Sequence, residues 1–257
     1  MKRIYVCNDT VEGLFSAVYD AWIDHVKHGI KECGIRFEGY LDTEMFCEYV
    51  RVERSEKKVQ AVERLIMEHL GWYAYKIIYQ AAVSTDPMKG DAILATMFAA
   101  KEIPNSRRIM EHLSHPQVGK VVKLAKNVGE EAHQWTGFLR FQELENGVLF
   151  SEFKPKNRVM TYVAPHFADR LSVENWIIYD ETHNEYAVHE AGKQWVLASN
   201  LEIDREKVSC VSEKEQMMQE LWKEFRNTIA IKERKNPKCQ LQHMPLWYRN
   251  HMVECTD

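Results

Sequence analysis

The segment from residue 131 to residue 141 reads Glu131-Ala132-His133-Gln134-Trp135-Thr136-Gly137-Phe138-Leu139-Arg140-Phe141. Helical periodicity before this segment and alternating apolar residues after it predict that it joins the end of an amphipathic helix to a β-strand. The junction places His133, Trp135 and Arg140 close together along the chain. An imidazole, an indole and a guanidinium are groups that bind an anionic ligand carrying an aromatic ring.

The helix before the junction is predicted to run from His115–Pro116 to about residue 135. Its apolar residues share one face of the helical wheel, and His133 falls at the border of that face. The face is formed by Val121, Leu124, Ala125, Val128, Ala132 and Trp135. Trp135 is therefore predicted to be a core residue, whereas His133 is the side chain of the junction most free to meet a ligand.

After the junction, residues 136–145 and 148–153 are predicted to form two strands around Asn146–Gly147, a strong hairpin signal. If these two residues make the turn, Leu144 faces Leu149 and Arg140 faces Phe153. Arg140 then points to a mostly apolar sheet face, where a guanidinium needs an anionic partner.

The sequence allows two kinds of partner for the Arg140 guanidinium. It could clamp a phosphate or the edge of a base, or it could pair inside the protein with Glu152 or Asp180. Internal pairing is the commoner arrangement for a buried charge.

The remaining pattern predicts an α+β protein, with helices packed around an antiparallel or mixed β-sheet and a helical C-terminal section. Strands are predicted at residues 4–7, 35–37, 46–52, 176–180, 185–188 and 194–198. Asp9 is expected to cap the first helix, with Glu12 in the capping-box position. A single compact domain over residues 1–257 is expected, with sub-regions at 1–115, 116–200 and 201–257.

Composition places the chain among ordinary globular proteins. It has 257 residues, 45% hydrophobic and 28% charged, and a net charge of −4. The acidic balance argues mildly against a nucleic-acid binder, although a local basic face can still serve. Six scattered cysteines and the lack of a signal peptide or an apolar span predict a cytoplasmic protein with no membrane partner.

Known signatures for cofactors, metals and nucleophiles are absent from the sequence. It contains no GxGxxG, Walker A, HExxH or GxSxG motif and no cysteine cluster for zinc or an iron–sulfur centre. No cofactor and no metal are therefore predicted.

Three residues are candidates for catalysis: His133, Arg140 and Asp180. His133 could act as a general acid or base, or it could be a helix-end histidine stabilised by the helix dipole. Asp180 ends an apolar strand, where a carboxylate can be catalytic or can begin the turn at residues 181–184.

Two helical surfaces are candidates for anion binding. His166 and Arg170 are four residues apart and share a helix face, although a solvated surface is the commoner interpretation of such a pair. Lys123 and Lys126 continue a stripe that starts at Lys120, and a solvated face is again the simpler explanation.

The C-terminal section is the better nucleic-acid signal, because basic and aromatic residues alternate there with few acids. Cations can contact phosphates while aromatic rings stack on bases. The candidate residues are Arg234, Lys235, Lys238, Trp247, Tyr248 and Arg249.

Several motifs together resemble an uncharacterised bacterial family whose members are labelled DNA metabolism or DNA repair proteins. The resemblance covers about residues 118–253. The motifs are His133-x-x-x-Gly137-Phe138-x-Arg140-Phe141, Pro155, Pro165-x-Phe167-x-x-Arg170, Trp176-x-Ile178-x-Asp180, Leu221-Trp222-x-x-Phe225-x-x-x-Ile229, Asn236-Pro237 and Met244-Pro245-x-Trp247-Tyr248.

The resemblance implies a role in processing damaged DNA together with a partner. Members of this family are encoded beside a radical-SAM protein of DNA modification or repair, and some are fused to a domain of the uracil-DNA glycosylase superfamily. It implies no catalytic residue. Three hypotheses follow: a DNA-binding accessory to the radical-SAM protein, an enzyme acting directly on DNA or nucleotides, and a protein–protein adaptor without DNA contact.

Overall fold

The computed structural model describes residues 2–30, 32–40, 44–199, 208 and 210–255. These residues contain helices and two β-sheets, which confirms the predicted α+β class. The chain divides into two compact units, Met1–Gly129 and Glu130–Asp257.

The first unit contains a three-stranded parallel sheet in the order β2-β1-β3. Ile4, Tyr5 and Val6 of the central strand are all buried, as is usual for a parallel strand covered on both faces. The elements are β1 (Lys2–Cys7), α1 (Val11–His28), β2 (Cys33–Phe37), β3 (Cys47–Arg51), α2 (Glu56–His69), α3 (Gly71–Ala82), α4 (Lys89–Glu102), a 3-10 helix (Ser106–Glu111) and the start of α5 (Pro116–Phe138).

The start of α1 differs from the sequence prediction by one residue. Thr10 caps the helix, because its hydroxyl accepts a hydrogen bond from the Gly13 amide at 3.0 Å. Asp9 instead forms an ion pair with the buried Lys89 ammonium at 2.5 Å. Gly29 ends the helix in the left-handed conformation with a φ of 67°, as a glycine C-cap does.

The outer edge of β2 is closed by α4. The Asp91 carboxylate accepts hydrogen bonds from the Ile35 amide at 2.7 Å and from the Arg36 guanidinium at 2.6 Å. A strand at the edge of a sheet can pair with another chain through its unpaired amides. The Asp91 carboxylate accepts the hydrogen bond of one such amide, that of Ile35.

The second unit contains a five-stranded mixed sheet in the order β4-β5-β6-β7-β8, in which only β5 and β6 run parallel. Its elements follow the end of α5. They are β4 (Gln142–Glu143), β5 (Leu149–Phe153), α6 (Met160–Arg170), β6 (Trp176–Asp180), β7 (Glu185–His189), β8 (Val196–Ser199), α7 (Glu213–Ile229), α8 (Pro237–His243) and 3-10 helices at Lys232–Arg234, Leu246–Tyr248 and Val253–Cys255.

The hairpin after α5 is shorter than predicted and its register is shifted. Residues 136–138 continue α5, so β4 begins only at Gln142. Gln142 then pairs with Phe150 of β5. Gly147 has a φ of 77° and the turn comprises residues 145–147, because the Leu144 amide bonds to the Val148 carbonyl at 3.0 Å. A turn of this type carries one more residue than the predicted one, and the slip moves every pairing by one position. The predicted pairing of Arg140 with Phe153 is therefore wrong.

The end of α5 is fixed by the buried Glu131. Its carboxylate accepts hydrogen bonds from the Lys156 amide at 2.6 Å, the Asn157 amide at 3.0 Å and the Asn157 side chain at 2.5 Å. One turn further on, Trp135 is buried with its ring edge against Phe153. The prediction that Trp135 is a core residue is confirmed.

Glu131→Gln is expected to lower the free energy of unfolding by about 1–3 kcal/mol, because one acceptor oxygen becomes an amide donor facing buried N–H groups. Urea denaturation followed by tryptophan fluorescence measures this. Glu174→Gln makes the same chemical change at an exposed position of the same unit and should alter the free energy of unfolding by no more than about 0.5 kcal/mol. Equal effects of the two substitutions would contradict the anchoring role of Glu131.

Candidate functional site

A cavity of about 260 Å³ opens beside β4 and β5 in the second unit. Its wall combines a cation, an acid, an imidazole, three amides and two phenyl rings. The lining residues are Arg140, Phe141, Gln142, Phe150, Ser151, Glu152, Gln219, Asn250, His251, Met252 and Val253. This polar, mixed-charge cavity is the candidate binding site of the second unit.

Arg140 enters the cavity wall from the C-terminal end of α5. Its Nη1 donates hydrogen bonds to the carbonyl oxygens of Gly137 at 2.9 Å and Leu139 at 3.3 Å. The last carbonyls of a helix lack partners inside the helix and carry partial negative charge, so they attract a guanidinium. The helix end therefore positions Arg140 at the cavity.

Beside Arg140, the imidazole of His251 lies between two carboxylates. Nε2 is 2.9 Å from Oε1 of Glu181, and Nδ1 is 4.0 Å from Oε2 of Glu152. One ligand atom from each of the three residues lies within 4.8 Å of the others. Two carboxylates and an imidazole are a donor set that Mn²⁺, Fe²⁺ or Zn²⁺ accepts, and the same groups also form an ionic network by themselves.

Asp180 is fully buried and closes the turn that follows β6. Its carboxylate accepts hydrogen bonds from the amides of Thr182 at 2.9 Å and His183 at 3.1 Å, and it lies 2.6 Å from Nδ1 of His183. The residue at the other end of this turn, Asn184, has a φ of 51°. The turn-forming role is the alternative that the sequence left open, and Asp180 does not line the cavity.

His133 lies exposed on α5, and its backbone carbonyl accepts a hydrogen bond from the Thr136 hydroxyl at 2.7 Å. Of the three candidate catalytic residues, Arg140 lines the cavity, whereas His133 and Asp180 are not among its lining residues.

The two predicted helical anion sites lie on exposed helix faces. His166 and Arg170 are exposed on α6, and the His166 ring lies edge-on to Phe167 with centroids 5.0 Å apart. Lys123 and Lys126 are exposed on the part of α5 that belongs to the first unit.

The basic residues of the C-terminal section are exposed between residues 232 and 238. Lys232, Arg234, Lys235 and Lys238 all face solvent. We call residues 232–238 the C-terminal basic segment. Trp247 follows it and is 40% exposed, with the ammonium of Lys156 5.2 Å from its ring centroid. This distance is within the range of a cation–π contact.

Tyr248 and Arg249 are used inside the fold. The Tyr248 ring is buried against Trp135 and Phe138, at centroid distances of 4.6 Å and 5.0 Å, and its hydroxyl donates to Gln134. Burial raises the pKa of Tyr248 to about 12. The Arg249 guanidinium donates two hydrogen bonds, at 2.8 Å and 3.0 Å, to the Met244 carbonyl. The Tyr248 ring is not accessible for base stacking in this arrangement.

The sequence did not point to the group formed by Glu152, Glu181 and His251. Glu152 entered only as a partner for Arg140, and His251 entered no motif. The three residues come from β5, the turn after β6 and the C-terminal section, so their spacing matches no metal-binding signature.

A family model for a domain of unknown function, DUF4130, matches residues 87–254. The chain belongs to the DUF4130 family. The curated proteins include no match. Among solved structures, the chain is similar over 74% of its length to a DHH domain described as a member of a family of ribosomal proteins, also over 74% of that chain, with 11% identity and a TM-score of 0.29.

The match therefore confirms that the chain belongs to an uncharacterised family, as the motifs indicated. In the described part of the chain, no helix has the length and apolarity needed to cross a bilayer.

Asp180→Ala is expected to lower the free energy of unfolding by about 2–3 kcal/mol, because two amides and a histidine lose a buried charged acceptor. Thermal and urea unfolding measure the loss. Asp169→Ala removes an exposed carboxylate from α6 and should cost no more than about 0.5 kcal/mol. An unchanged stability in Asp180→Ala would show that the turn does not need this carboxylate.

Proposed function

We propose that this protein is a DNA metabolism or DNA repair protein that binds DNA through the C-terminal basic segment, as an accessory to a radical-SAM enzyme. The observation that carries the proposal is the exposure of all four cations in that segment, Lys232, Arg234, Lys235 and Lys238.

Local charge supports a phosphate-binding role despite the acidic chain. Residues 232–238 contain four cations and one acid, Glu233, which gives +3, whereas the whole chain carries −4. Charges separated by more than about 8–10 Å are screened at physiological salt, so a phosphate at the segment responds mainly to the local charge. Release of counterions from DNA then favours binding and makes it depend on salt.

Trp247 and Lys156 form a second exposed group that suits a nucleic acid. An exposed indole offers a face on which a base can stack, and the ammonium beside it can contact the adjoining phosphate. Lys156 and Trp247 together provide the stacking and phosphate contact that the sequence assigned in part to Tyr248.

The Arg140 cavity suits one nucleotide unit better than a duplex, because its volume of about 260 Å³ lies just below the usual range for small-ligand sites. The guanidinium of Arg140 fits a phosphate, and the amides of Gln142, Gln219 and Asn250 can hydrogen-bond to the edge of a base. We propose this cavity as the place where a displaced nucleotide is held.

The radical-SAM partner and the role in repair rest on the family resemblance of the motifs between residues 118 and 253. The same resemblance is the basis for expecting that a glycosylase domain can accompany this one. Co-purification of the two proteins expressed together tests the partnership independently of DNA.

Lys235→Gln/Lys238→Gln is expected to weaken binding of single- and double-stranded oligonucleotides about tenfold at about 50 mM salt, because two phosphate contacts are lost. Fluorescence anisotropy between about 50 and 200 mM salt should also show a salt dependence whose slope is smaller by about 2.

Lys57→Gln/Lys76→Gln is the matched control, because it removes two exposed lysines from the first unit. It should leave the affinity within about twofold of the unaltered protein. DNA binding that is absent at low salt, both alone and with the radical-SAM protein present, contradicts the proposal. Equal losses in the two variants contradict the assignment to the C-terminal basic segment.

An enzyme acting on DNA or nucleotides is the second candidate function, and the group of Glu152, Glu181 and His251 beside Arg140 favours it. A divalent cation held there would polarise a phosphate oxygen and activate a water molecule, while Arg140 offsets the charge that develops on the phosphate. This set replaces the grouping of His133, Arg140 and Asp180, of which only Arg140 lines the cavity.

Mn²⁺ titration by calorimetry is expected to show one saturable site that Glu152→Gln/Glu181→Gln weakens at least about tenfold, because both carboxylate ligands are lost. Glu145→Gln/Glu174→Gln removes the same charge at exposed positions of the same unit and should leave binding unchanged. No saturable binding would leave the three residues as an ionic network and remove the support for a metal-dependent enzyme.

A protein–protein adaptor without DNA contact is the remaining alternative, and the exposed aromatic residues Trp222 and Trp247 favour it. Trp247→Ala separates the two roles: loss of partner binding with DNA binding intact indicates the adaptor. Tyr248→Ala is not suited to this comparison, because Tyr248 is buried in the second unit.

A further inference from the structure

A cavity of about 540 Å³ lies in the first unit between α1, α2 and the end of α4. Its deepest wall is apolar, because Leu70, Met97 and Ala100 line it and are each no more than 5% exposed. Val26 also lines it and is 54% exposed, so the cavity opens to solvent at this residue. Protein interiors keep few voids larger than a water molecule, and the volume of this one is usual for a small-ligand site.

The walls of the cavity are mainly aliphatic. Leu65, Ile103 and Pro104 line it together with the buried residues, and Trp22 adds the face of an indole. Trp22 is held in place by Phe98, since the two rings stack with centroids 5.5 Å apart and planes 13° from parallel. A flexible hydrocarbon chain can follow such walls and gains free energy for each methylene group that leaves water. The lining therefore favours a ligand with an aliphatic body.

The polar groups of the cavity favour a negative charge on that ligand. None of the described residues that line the cavity is acidic. The Ser106 hydroxyl donates to the His69 carbonyl at 2.7 Å, which uses its proton within the wall. The Lys101 ammonium lies 5.1 Å from the centroid of the Trp22 ring, and no carboxylate in the described part of the chain forms an ion pair with it. A cation beside an apolar cavity attracts an anionic group.

We propose that this cavity binds an aliphatic carboxylate of medium chain length. The hydrocarbon chain lies against Leu65, Leu70 and Met97, and the carboxylate pairs with Lys101 above the Trp22 ring. One ammonium matches one carboxylate, so the ligand is a monoanion. The site lies in the first unit, and the inference does not depend on the proposed DNA-binding function.

Octanoate and 1-octanol are the probes for this site, because they have the same chain length and differ in charge. Ligand-observed NMR titrations of the full chain are expected to show saturable binding of both, with octanoate the tighter. Val26→Glu places a negative charge in the cavity wall and is expected to weaken octanoate at least about tenfold. Val173→Glu makes the same change at an exposed position of the second unit and should leave the affinity within about twofold.

Lys101→Met tests the carboxylate contact, because it removes the charge and keeps most of the hydrocarbon stem. It is expected to weaken octanoate about threefold or more, as the loss of a partly exposed ion pair does. The affinity for 1-octanol should stay within about twofold, which also shows that the cavity is intact. Lys76→Met removes an exposed lysine of α3 and should leave both affinities unchanged.

Two outcomes overturn the proposal of a ligand site here: the absence of saturable octanoate binding, and an affinity that Val26→Glu leaves unchanged. An octanoate affinity that Lys101→Met leaves unchanged, or weakens no more than that of 1-octanol, overturns the choice of a carboxylate. Lys101 lies in the last turn of α4, where a cation is favourable for the helix dipole. A role confined to the helix end predicts a lower Tm of Lys101→Met with unchanged octanoate binding, which likewise contradicts the proposal.

Discussion

The second unit depends on the hydrogen bonds that the buried carboxylate of Glu131 accepts. A buried charge is costly unless donors satisfy it, and three N–H groups of Lys156 and Asn157 do so here. They lie in the connection after β5, so the contact fixes the end of α5 to the sheet. Trp135 packs on Phe153 as a result, and the chain leaves the helix where Arg140 reaches the cavity wall.

The candidate site is assembled from parts of the chain that are far apart in sequence. A helix end supplies Arg140, β5 supplies Glu152, the turn after β6 supplies Glu181 and the C-terminal section supplies His251. The buried Asp180 closes that turn, so it acts on the site by placing its neighbour Glu181. Asp180, which the sequence made a candidate for catalysis, therefore has a structural role in closing the turn.

Average composition conceals two special surfaces at the end of the chain. Although the whole chain has a net charge of −4, the C-terminal basic segment has a charge of +3. Although the hydrophobic content of the chain is ordinary, α7 exposes a stripe of large apolar side chains to solvent. The C-terminal basic segment follows α7 directly. The surface proposed for DNA therefore adjoins, in sequence, a helix with exposed apolar side chains.

Sequence by itself determined the α+β class, the apolar face of α5, the burial of Trp135 and the exposed cations of residues 232–238. These properties depend on periodicity and on local charge, which are carried by neighbouring residues. Tertiary structure decided the register beside Gly147, the burial of Tyr248, the use of Asp180 and the meeting of Glu152, Glu181 and His251. The reason is that each of these depends on a backbone conformation or a contact between distant segments, which residue spacing along the chain does not specify.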